Sequence, residues 1–149
     1  MPLSPAARVF ALLKRLGAML YDALLLVALY MGLTFAMLPL TGGEAITPQS
    51  TPVLEHLYRL ALLAITAGFF GLSWTRRGQT LGMQSWRLKL LREDGALPTW
   101  RDALLRLSAA VLSWLAFGLG FLWILVDAEG RSWHDRLSRT RVVELPRGA

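Results

Sequence analysis

Two ionisable residues stand at the head of a long apolar run, Arg15 and Asp22 in "RLGAMLYDALLL". Inside hydrocarbon such groups are costly, so they face protein and have partners or tasks. A carboxylate at that depth fixes helix packing, accepts a proton, or forms a polar step in a solute path. Side chains on a helix lean toward its N-terminus, so Arg15 points outward and leaves a gap of about 10 Å to Asp22. Arg106, near the start of a later apolar run, is the expected mate of Asp22. A third cluster, Asp127, His134 and Asp135, lies in "DAEGRSWHDRLSRTRVV". It could serve a metal or a general base, but a lone histidine without a matching ligand set points instead to an amphipathic surface turn, with Trp133 and Leu137 on lipid and the charges in water. We expect no metal and no cofactor.

Enzymatic chemistry has little to stand on. The chain has no cysteine, and it contains no P-loop, H-E-x-x-H or G-x-S-x-G pattern. The expected protein is not an enzyme.

The elements that must position these residues follow from composition. Of 149 residues, 54% are hydrophobic and 17% charged, and the mean hydropathy is +0.44, above the usual range for a soluble domain. The length allows a single domain, residues 1–149, with transmembrane segments near 16–38, 57–74 and 104–126. The first is too long for a signal h-region and is expected to be retained. Ala28, Gly32 and Ala36 in the first segment, and Ala64, Gly68, Ala67 and Gly71 in the second, offer close-packing stripes. Arg59, in the first turn of the second segment, is expected to snorkel outward.

The net charge of +6 is concentrated beside the apolar runs, which signals topology and contact with anionic lipid rather than nucleic acid. The stretch 39–56 is largely a Pro/Gly/Ser/Thr loop and has no Lys or Arg before Arg59, while the lead-in, with Pro2 and Pro5, and residues 75–102 are basic, so the N-terminus is expected in the cytoplasm. A single third crossing would put Arg131, Arg136, Arg139, Arg141 and Arg147 outside, against the same rule. Two glycines in "FGLGF", residues 117–121, offer a way out: the third segment re-enters as a hairpin. A plain third span is the alternative. Alternation at Trp86, Leu88 and Leu90 predicts a strand, and "TRVVEL", residues 140–145, a second that pairs with it at the cytoplasmic surface. The fold class is therefore an all-α integral membrane bundle of two full spans and a third apolar segment, with a two-strand pairing.

These motifs resemble those of the bacterial RDD family of membrane proteins. Arg15 and Asp22 match in "RLGAMLYD"; Gly78, Gln79, Thr80 and Gly82 match in "GQTLGMQSWRLKLLREDG", residues 78–95; His134, Asp135 and Thr140 match in "HDRLSRTRVV", with Asp127 a supporting position. The likeness runs from Lys14 to Val143. One departure is "GMQSW", where the family more often has a basic residue. The resemblance implies a small polytopic protein of the bacterial inner membrane, often proposed to act in transport of a small solute or ion, without naming a ligand. Two or three helices enclose little path, so a homo-oligomer is the expected assembly. The alternative is a non-transporting scaffold or accessory subunit whose buried charges serve packing. If Asp135 follows a re-entrant hairpin, Arg15 and Asp135 both lie at the cytoplasmic surface, and two ties across the bundle are expected, Arg15 to Asp135 and Asp22 to Arg106.

Overall fold

The computed structural model describes residues 4–47 and 52–146. Pro2, Arg147 and residues 48–51 of the expected loop lie outside the described residues. The first helix, α1 (Pro5–Thr41), runs 37 residues, about 55 Å at 1.5 Å per residue. It absorbs much of the basic lead-in. Pro5 occupies the first turn, where its missing N–H costs nothing, and Ser4 caps the end by accepting the Ala7 N–H at 3.3 Å. The helix continues through Pro39, so the loop expected from position 39 begins later, at Gly42, whose φ of 63° ends the helix. The second helix, α2 (Pro52–Arg77), is 26 residues long. Both are long and apolar enough to cross a membrane. Arg59 lies in the second turn of α2 rather than the first, exposed and paired with Glu55 one turn before it.

After α2 comes a feature that periodicity missed, the five-residue helix α3 (Leu81–Ser85), followed by strand β1 (Leu88–Arg92). Trp86, expected in the strand, caps α3 instead. Strand β2 (Thr140–Glu144) pairs antiparallel with β1, Leu88 opposite Glu144 and Arg92 opposite Thr140. The predicted pairing is present. Leu88 and Leu90 are buried and join Ala18, Trp74, Met83 and Ala103 in the core.

The third apolar segment is not one straight helix. Helix α4 (Trp100–Leu115) ends where Phe117 and Gly118 take φ of 54° and 77°, and α5 (Leu119–Leu122) with the 3₁₀ turn Trp123–Leu125 leaves at 108° to it. Gly118 makes the break that "FGLGF" predicted. Gly120 has a different reason to be small, since a Cβ there would lie 2.0 Å from Ser113 Oγ. Beyond the break, Arg8 of α1 donates to Leu125 O at 3.2 Å, and helix α6 (Trp133–Leu137) packs back on α4. The chain therefore returns to the end of the bundle from which α4 started.

The two long helices touch lightly, through Tyr30 with Thr66 and Thr34 with Tyr58 (2.8 Å). Gly32 and Gly68 have nothing within 4 Å of a Cβ position. Gly71 is the exception, close against the Trp100 ring.

Candidate functional site

Asp135 is 0% exposed and holds two arginines from different helices. Arg15 Nη1 donates to Oδ2 at 2.6 Å, and Arg106 Nη1 donates to Oδ1 at 2.5 Å. The Ser132 N–H adds a third bond to Oδ2 at 3.0 Å, while the Ser132 hydroxyl accepts the Asp135 N–H, a capping box that starts α6. Arg106 Nη1 also donates to Thr140 Oγ1 at 3.0 Å, and Thr140 hydrogen-bonds Ser138 at 2.7 Å. Burial by itself would raise the carboxyl, but the guanidinium groups of Arg106 and Arg15 overcome it and hold Asp135 well below the usual carboxylate range. One carboxylate thus fastens α1, α4 and α6 together.

Asp22 does not meet Arg106. Its Oδ2 accepts the Thr80 hydroxyl at 2.5 Å and its Oδ1 the Gly82 N–H at 2.9 Å. The reason is steric. Helix α3 packs against α1 so closely that a Cβ on Gly82 would lie 2.1 Å from Ala18 O, and the turn fills the space beside Asp22 before a guanidinium could. Of the two expected ties, Arg15 to Asp135 is present and Asp22 to Arg106 is replaced.

The block at 78–82 now has a physical role for each motif residue. Gly78 takes φ of 69° beside β1, where a Cβ would lie 2.7 Å from Leu90 O, and its own carbonyl accepts the Leu90 N–H at 2.7 Å. Gln79 Nε2 donates to Leu88 O at 2.7 Å. Thr80 caps α3 by accepting the Met83 N–H at 3.1 Å while it donates to Asp22. These bonds fasten the end of α2 to the strand pair and to α1.

Between these elements lies a cavity of about 210 Å³. Arg15, Asp22, Thr80, Arg106 and His134 form its polar wall, and Phe70, Trp74, Val111, Trp114 and Phe121 are among its apolar lining. The Arg106 guanidinium sits 5.4 Å from the Trp74 ring centre, a cation–π arrangement that orients it. His134 is buried, its ring 4.7 Å from that of Phe121, and its Nδ1 has no hydrogen-bond partner among the described residues. The reading of 127–137 as a surface turn with its charges in water is thereby corrected: His134 and Asp135 point inward because the turn carries the carboxylate that two buried arginines need. Leu137 is exposed, but Trp133 is half-buried against Gly120 and Trp123.

Burial pushes the His134 imidazole down to about 3, with Arg106 adding to the push and Asp135 opposing it. An unfolded histidine protonates near pH 6.5. Stability from this group is therefore complete above about pH 6.5 and is lost as pH falls toward 3, by up to about 1.4 kcal/mol per pH unit. The expected result is a thermal midpoint in detergent that drops between pH 6.5 and 4 in the wild type and drops less in His134→Phe. Parallel curves would contradict it.

Asp127 stands apart from this site. It accepts the Arg131 N–H at 2.8 Å, the Glu129 N–H at 3.1 Å and the Arg136 guanidinium. Burial opposes ionisation, but these donors outweigh it and lower the carboxyl from its ordinary value. Its work is to shape the turn at 127–131. The capping boxes "TWRD" at 99–102 and "SWHD" at 132–135 are sequence signals for the starts of α4 and α6 that the expectations above did not use.

The RDD family model matches residues 10–139. No curated protein and no solved structure compared with the chain matches it. The match takes in the Arg15–Asp135–Arg106 clamp, the 78–82 block and the break in the third segment, and on it the chain belongs to the RDD family.

Proposed function

We propose that this RDD family chain is a multi-pass protein of a bacterial inner membrane, N-terminus in the cytoplasm, that contributes to the movement of a small solute or ion. The observation that carries this reading is the cavity: it brings Arg15, Asp22 and Arg106 to one space beside two helices long enough to span. Large apolar side chains along α1, among them Leu20, Leu24, Val27 and Phe35, are exposed, as lipid contact requires. Arg8, Lys14, Arg15, Arg76 and Arg77 gather at the end of the bundle that holds the strand pair, which supports a cytoplasmic face there.

A second reading has its own support. Asp22 and Asp135 both have internal partners, the arrangement a packing scaffold would need. Asp22→Asn separates the two: a transporter keeps its abundance and loses flux, measured in proteoliposomes as currents evoked by a panel of inorganic cations and organic anions. A scaffold loses abundance instead. Topology is tested in the same cysteine-free chain by Ala45→Cys and Arg141→Cys, both exposed positions. An impermeant maleimide should label only position 45 in intact cells, whereas labelling of both would place the C-terminal strand outside and end the re-entrant reading.

A further inference from the structure

We propose that the cavity is a seat for a small monocarboxylate with an apolar body. This rests on the solute-binding reading above and names its ligand class. Arg106 has committed only one nitrogen: Nη1 serves Asp135 and Thr140, while among the described residues Nε and Nη2 make no hydrogen bond. Those two N–H groups form the planar edge that matches a carboxylate with two parallel bonds. The Trp74 ring holds the guanidinium in place. Arg106 shares the cavity with Phe70, Val111, Trp114 and Phe121, a lining that favours an aromatic ring or short alkyl chain.

Size and charge narrow the class. A dry cavity of about 150 Å³ accommodates benzene, so about 210 Å³ suits a single ring with its carboxylate. Asp22 lines the same cavity. Its two oxygens accept from Thr80 and Gly82, so it presents acceptors where a second anionic group would need a donor. Monoanions are therefore selected over dicarboxylates and phosphate.

The test uses the full-length protein purified in detergent, with benzoate, hexanoate, benzamide, phthalate and inorganic phosphate as probes, read by calorimetry and thermal midpoint. Benzoate and hexanoate should bind and raise the midpoint; benzamide, which cannot make the charge-assisted fork, and phthalate and phosphate, whose further anionic groups meet Asp22, should bind at least about tenfold more weakly. Arg106→Lys removes the fork but risks the fold, so Ala110→Phe, which fills the cavity from α4 without touching the clamp, is the second variant. It should cost benzoate affinity about tenfold or more at an unchanged or higher midpoint. Equal affinity for benzamide, unchanged benzoate binding in Ala110→Phe, or no binding at millimolar benzoate each overturns the proposal. Binding needs no gradient, so benzoate binding without flux in any solute removes only the transport reading, while flux of another solute without benzoate binding removes only the carboxylate.

Discussion

Asp135→Asn should nearly abolish the folded protein. The carboxylate is fully buried between Arg15 and Arg106, and an asparagine in its place leaves two guanidinium groups facing each other without a counter-charge. Removing one partner from a buried pair costs about 3–5 kcal/mol, a large share of the stability of a domain this size. Arg15→Met should cost less, because Asp135 keeps Arg106. The double variant Arg106→Met with Asp135→Leu should recover part of the loss, since it removes both charges of the shorter tie. The measurement is folded yield by size-exclusion chromatography in detergent, with the thermal midpoint. Wild-type values for Asp135→Asn would show that the clamp is not needed. The carboxyl is held so far below its usual range that the clamp is intact throughout the neutral range and weakens only as pH falls below about 4, where the unfolded carboxyl begins to take up protons.

Gly82→Ala carries the second large effect. Its Cβ would sit 2.1 Å from a backbone oxygen, Ala18 O, and 2.9 Å from the Asp22 carboxyl carbon. Relief requires α3 to move off α1, which stretches the bonds from Gly82 N–H and Thr80 to Asp22. Overpacking alone costs about 1–3 kcal/mol, and the weakened carboxylate bonds add to it. The controls are Gly32→Ala and Gly68→Ala, where a Cβ meets nothing within 4 Å. Those should leave the thermal midpoint level or raise it, because a mid-helix glycine is worse than alanine by about 0.5–1 kcal/mol. If all three substitutions behave alike, close approach at Gly82 is not a constraint.

The long helices were legible because hydrocarbon-length apolar runs have few other uses, and the break in the third segment was legible from Gly118. The strand pair followed from alternation at Leu88 and Leu90 and the β-branched "TRVV". Helix α3 was not legible: five residues are too few to show a period, and its start depends on Thr80, whose hydroxyl reads equally as loop or cap. Missing α3 hid the partners of Asp22. A carboxylate's neighbours are set by which backbone arrives beside it, and nothing in the spacing of Asp22 and Arg106 reports that Gly82 arrives first. The Arg15–Asp135 tie followed from the re-entrant hairpin, with motif likeness singling out Asp135, while the burial of His134 and Asp135 was not legible because a charged pentapeptide looks solvated until its cationic partners are located.

The clamp also imposes an order on the making of the protein. Asp135 emerges from the ribosome 120 residues after Arg15 and 29 after Arg106. Arg15 therefore waits through 120 residues of synthesis, and Arg106 through 29, for the acid that neutralises both in the finished fold. A chain stopped between positions 106 and 135 leaves both of them uncompensated. Closure of the clamp that joins α1 to α4 thus waits on the turn that carries Asp135.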